Sequence, residues 1–97
     1  MKRYEDIKLG YEKWIRLKYP TITKDSFNSY ISGLNSINMK TNFIEILVYA
    51  KTNSEVEAVF EETKNKILGL GFAKSTIDNW KSYLKRFQLY WLEKEIV

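Results

Sequence analysis

Apolar residues recur along this chain in steps of three and four, and the recurrence breaks at a few turn-forming positions. The clearest run is Ile77, Trp80, Leu84, Phe87 and Trp91, which falls on one face of a helix predicted from Ser75 to Glu95. Ser75 reads as its N-cap, with Asp78 as a carboxylate in the electropositive first turn. Near the start, Tyr4, Ile7, Tyr11, Trp14 and Ile15 predict a helix from Tyr4 to Lys18. Pro20 closes it, because the residue before a proline is pushed out of the helical region. After a Thr21-Ile-Thr-Lys24 connector, a second helix begins between Thr23 and Ser26 and runs to about Ser36. It buries Phe27, Tyr30, Ile31, Leu34 and Ile37, and the polar stretch Asn35 to Asn42 reads as a loop.

The segment from Phe43 to Ala50 has the β-branched and aromatic content of a strand, but nothing else in the chain offers a strand to pair with it. It is therefore expected to be a short buried helix. Ser54-Glu-Val-Glu57 has the form of a capping box and predicts a helix to Leu68, with Val56, Val59, Phe60 and Ile67 facing inward. Gly69 and Gly71 end it. The fold expected is all-α: a compact bundle of four main helices plus one short helix, in a single domain over residues 1–97.

Composition narrows the function classes. A chain of 97 residues with 44% apolar residues can fill one core, and 29% charged residues give it a solvated surface rather than a disordered tail. With no cysteine there are no disulfides, and the expected location is cytoplasmic. The apolar run at 43–50 is broken by Glu45 and too short to span a bilayer, so no membrane role is expected. The first residues turn acidic at once and contain no apolar signal-peptide core. Whether the chain is a whole protein or part of a larger enzyme is left open.

Catalysis is not expected. Histidine and cysteine are both absent, which removes the usual general base, thiolate nucleophile and zinc ligands. Gly69-x-Gly71 lacks the third glycine and the preceding strand of a phosphate loop. Glu62-Thr-Lys64 has the outline of a nuclease Glu-x-Lys, but on the outer face of a capped helix it reads as solvated charge. No metal, cofactor or small-molecule substrate is implied.

The net charge of +4 is uneven: residues 1–24 carry +4, residues 25–73 carry −2 and residues 74–97 carry +2. The basic ends suit a polyanion, although an ordinary basic surface accounts for them equally well. Lys74, Ser75 and Thr76 stand at the start of the last helix, where hydroxyls and free N–H groups suit a phosphate. Lys81 and Lys85 share one flank of that helix and Arg86 points to another side, while Lys2, Arg3, Lys8, Lys13, Arg16 and Lys18 decorate the first helix. Trp14, Trp80 and Trp91 lie on apolar stripes and are expected in the core. Tyr83, Leu89 and Tyr90 lie nearer the stripe edges and are the candidates for an exposed protein or homodimer interface.

Two segments carry a resemblance. Lys24-Asp-Ser-Phe-Asn-Ser-Tyr-Ile-Ser-Gly-Leu-Asn-Ser-Ile37 and Ser75-Thr-Ile-Asp-Asn-Trp-Lys-Ser-Tyr-Leu-Lys-Arg-Phe-Gln-Leu-Tyr90 are similar, in that order, to helices of a small domain. That domain stands ahead of nuclease domains in bacterial restriction and HNH endonuclease-type proteins. The outline also resembles the helical core-binding domain of tyrosine recombinases, without their catalytic half. Both resemblances, covering roughly residues 23–92, imply an accessory DNA-handling module of a defence or mobile-element system, and neither implies a catalytic residue. The competing class is a small protein-interaction or dimerisation module of phage or accessory type.

Overall fold

The computed structural model describes residues 3–95, so Lys2 lies outside the described residues. Five α-helices follow one another: α1 (Tyr4–Lys18), α2 (Lys24–Thr41), α3 (Phe43–Leu47), α4 (Asn53–Leu68) and α5 (Lys74–Tyr90). A π-helical turn, Trp91–Glu95, continues α5. No strand occurs among the described residues; of the stretch 43–50 expected as a short buried helix, Phe43–Leu47 is helical and 48–49 form a turn. The fold is an all-α bundle with principal extents of 34 × 32 × 20 Å.

The helix ends show which local chemistry prevailed. Tyr19 closes α1 by donating its N–H to the Ile15 carbonyl at 2.8 Å, just ahead of Pro20. Thr23 caps α2, its hydroxyl accepting from Ser26 N at 3.1 Å. The loop expected over 35–42 is instead the last turns of α2. Its side toward the core carries Ile37 and Thr41, and the Thr41 hydroxyl donates back to the Ile37 carbonyl at 2.8 Å. The corner into α3 turns on Asn42, which adopts a left-handed φ of 54°. Asn38 then reaches across it, Oδ1 accepting from Ile44 N at 3.1 Å.

The N-caps assigned from sequence to the last two long helices both move. Thr52, not Ser54, caps α4: its Oγ1 accepts from Glu55 N and donates to Glu55 Oε1, each at 3.1 Å. The capping box is therefore Thr52-x-x-Glu55. In α5 the N-cap is Ala73, which has no side chain able to bond, so Ser75 lies inside the helix.

Phe87 stands at the centre of the core. Its ring packs edge-on to Tyr11 (5.0 Å between centroids) and Phe43 (5.8 Å), with Phe60, Tyr90 and Trp91 around it. Trp14 and Trp91 are buried as expected, whereas Trp80 is only half-buried and packs against Phe72. Helix α5 is the axis against which α1, α2 and α4 pack, most extensively α2.

Candidate nucleic-acid interface

The sharp stop of α1 at Pro20 and the turn made by Ile22 N bonding the Tyr19 carbonyl at 3.0 Å fold the chain back tightly. The last turn of α1 and the first half of α2 thereby lie beside the second half of α5. On α5, Ser82, Lys85, Arg86 and Leu89 occupy one side because they are three and four residues apart.

Arg86 joins the three segments. Its guanidinium carbon lies 4.1 Å from the ring centroid of Tyr19 and 4.1 Å from that of Tyr30. Behind it, Tyr30 meets Tyr83 edge-on at 5.3 Å, and Tyr19 meets Trp14 edge-on at 5.9 Å. A line of aromatic contacts thus runs from the core to a surface arginine. Arg16 repeats the arrangement over Phe27, at 4.5 Å. Cation–π contacts of this kind stabilise by about 0.5–1 kcal/mol at exposed sites and more where water is excluded.

Two shallow hollows adjoin at Tyr19. One, of about 290 Å³, is walled by Tyr19, Tyr30, Lys85, Arg86 and Leu89. The other, of about 300 Å³, is walled by Arg16, Tyr19, Lys24 and Phe27. Neither has a carboxylate in its lining. Among the described residues no carboxylate forms an ion pair with Arg16, Lys24, Lys85 or Arg86. Lys18 stands nearby but is paired with Glu93 at 3.1 Å. That bond to Lys18 holds the Glu93 carboxyl below the usual carboxylate range, with the neighbouring Trp14 acting in the same direction. A larger hollow of about 470 Å³ at the α2–α3 corner carries both Arg3 and Glu45, so its chemistry selects no single sign of charge.

Of the basic and hydroxyl residues proposed from sequence to meet a phosphate, Arg16, Lys85 and Arg86 line these hollows, and Lys74, Ser75, Thr76, Lys81, Lys8 and Lys13 do not. Arg86, expected on a different side of the helix from Lys85, lines the same hollow and packs half-buried between the two tyrosines. Lys74, Ser75 and Thr76 sit at the opposite end of α5, eleven residues or about 16 Å from Lys85. Lys74 there pairs with Asp78 at 3.5 Å. Lys81 is half-buried on another side of α5 and lines neither hollow. Lys8 shares with Glu12 a further hollow that adjoins the Arg16 hollow at Phe27, and Lys13 is exposed on α1.

The expected partner surface does not assemble. Tyr90 is buried, and burial, with its hydrogen bond to Glu95 at 2.6 Å, pushes its hydroxyl above the usual range. Tyr83 is half-buried against Gly33. Leu89 is exposed and rims the Arg86 hollow. Other exposed apolar side chains, Ile46 and Tyr49, lie beside Ala58 and Val59 at the α3–α4 corner.

Reading from sequence missed Lys24, Tyr19 and the role of Tyr30 and Phe27, which were assigned to the core. The spacing Arg16-x-x-Tyr19 puts a cation and a ring near each other just before a proline, but nothing in it signals that Arg16 would lie over Phe27 or Arg86 over Tyr19 and Tyr30. Among the described residues there is no cluster of three or more potential metal ligands, and no helix is long and apolar enough to cross a membrane. Comparison with protein-family models, curated proteins and solved structures finds no match.

Proposed function

We propose that this chain is a non-catalytic nucleic-acid-binding module that holds the phosphate backbone, with DNA as the polyanion. The observation that carries this reading is the convergence of Arg16, Lys24, Lys85 and Arg86 on two adjoining hollows whose lining contains no carboxylate. Cations from α1, α2 and α5 replace the counterions of a phosphate strand, and the entropy of their release drives binding. Contacts of this type position a duplex without reading its sequence. DNA, and a place in a defence or mobile-element system, are supported by the resemblance of residues 23–92 to accessory helical domains of DNA-handling enzymes. Titration of a labelled duplex at two salt concentrations tests the reading. Binding at low salt that falls steeply as salt rises supports it, and no binding at low salt rejects it.

A second reading, a homodimer, is favoured by Leu89, which is 49% exposed at the rim of the basic hollow. The acidic middle of one copy would face the basic hollow of the next. A light-scattering mass of one chain removes it.

A further inference from the structure

Proteins that hold single strands offer open aromatic faces on which bases stack. In the basic hollow the rings already have guanidinium groups against them. Arg86 lies against both Tyr19 and Tyr30, at 4.1 Å from each centroid, and Arg16 lies 4.5 Å from the centroid of Phe27. A ring face occupied in this way is closed to a base.

The same stacking prepares the arginines. A guanidinium donates hydrogen bonds only in its own plane, and its faces are weakly hydrated. With its carbon held over a ring, each guanidinium is fixed in place, and its N–H groups remain the part that can bond. Among the described residues no carboxylate pairs with Arg16 or Arg86. The edges are therefore held in a fixed orientation without an anionic partner, with Lys85 and Lys24 beside them. A fork of parallel N–H groups matches two oxygens of one phosphate.

We infer that the hollow is a duplex-selective phosphate clamp, in which Arg86 and Arg16 each present a guanidinium edge to the backbone while the rings orient the arginines. The inference rests on the nucleic-acid reading above. A duplex carries its phosphates outward on a stiff frame, whereas bases of a single strand stacking on these rings would compete with the arginines for the faces they cover.

The test is a fluorescence-anisotropy titration of the full chain with a labelled short duplex and with one of its separated strands, at low salt. Wild type is compared with Arg86→Lys and Arg16→Lys, which keep the charge and lose the fork. Duplex should bind about tenfold more tightly than single strand, and each lysine variant should lose roughly tenfold on duplex. Single-strand affinity should change little. Circular dichroism and the melting temperature establish that the variants fold; Arg16, exposed at the end of α1, keeps the test valid if Arg86→Lys loosens the packing. Single-strand binding equal to or tighter than duplex binding overturns the inference, as does full duplex affinity in both lysine variants. Failure of wild type to bind either form removes the nucleic-acid reading itself.

Discussion

The ring of Tyr83 lies against the α-carbon of Gly33, so close that a Cβ there would fall 2.7 Å from Cε2 and nearer still to Cδ2. This contact sets the approach of α2 to α5, which pack extensively against each other, and Tyr83 in turn supports Tyr30 behind Arg86. Gly33→Ala should destabilise the fold, because the ring atoms in the way are near the Tyr83 backbone and cannot swing aside. Overpacking costs about 1–3 kcal/mol, and the better helix propensity of alanine returns up to about 1 kcal/mol. A net loss of about 1–2 kcal/mol in urea unfolding is expected. Gly10→Ala makes the comparison: its Cβ would meet only the far end of Tyr90, the hydroxyl, at 2.6 Å. That hydroxyl is bonded to Glu95 and its ring is buried, so Tyr90 must shift to make room and this substitution should also destabilise the fold.

The cap of α4 distinguishes two residues that look alike in sequence. Thr52→Ala removes both hydrogen bonds to Glu55 and should cost about 1 kcal/mol. Ser54→Ala, inside the first turn and exposed, should change stability by less than about 0.5 kcal/mol. Equal losses in a denaturant series would return the cap to Ser54.

That pair shows where sequence reading succeeds and where it stops. The apolar steps at Ile7, Tyr11, Trp14 and Ile15 found α1 with both its ends, since Pro20 allows only one stop. Phe43–Leu47 was legible as a helix because no strand existed to pair with it. The end of α2 was not, because Asn35, Asn38 and Asn42 have loop composition. Asn42 does make the turn, but Asn38 is helical and bonds to the next helix through its side chain. Positive charge near both termini was legible in the same way. The meeting of Arg86 with Tyr19 and Tyr30 was not, because it depends on how α5 crosses the α1–α2 turn, a property of packing rather than of spacing along any one helix.

Tyr11 gives a pH-dependent test of the core. Its hydroxyl is buried without a hydrogen-bond partner, and burial raises its pKa well above the ordinary value, an effect only partly offset by the charge of Arg86. The unfolded tyrosine ionises near pH 10, while the folded one keeps its proton. Its contribution is therefore fully present below about pH 10 and is lost as pH rises, with a slope of about 1.4 kcal/mol per pH unit. Tyr90, raised in the same direction, adds its own loss in the same window. Tyr11→Phe removes one of these two sources and should flatten the fall in urea midpoint above about pH 10. At neutral pH it should leave stability unchanged or raise it by up to about 1 kcal/mol, because an unpaired buried hydroxyl is removed. An unchanged alkaline slope would mean that Tyr11 ionises in the folded state.

Charge reversals separate the hollow from the rest of the basic surface. Lys85→Glu and Arg16→Glu each replace one of the four cations of the two adjoining hollows with a carboxylate, where the lining holds none. Each should weaken duplex binding by tenfold or more at low salt and lower the slope of log affinity against log salt by roughly 1. Lys74→Glu makes the same change of charge on the same helix, about 16 Å away along α5. Lys74 is already paired with Asp78, so its charge is partly neutralised before any ligand arrives. The reversal sets two acids four residues apart, which costs a few tenths of a kcal/mol, and the electropositive helix start offsets part of that. Binding should stay within about twofold of wild type, the residual coming from long-range field alone. A loss at Lys74 equal to that at Lys85 would show that net charge governs binding. A loss confined to Lys85 and Arg16 would place the contact where α1 and α5 meet.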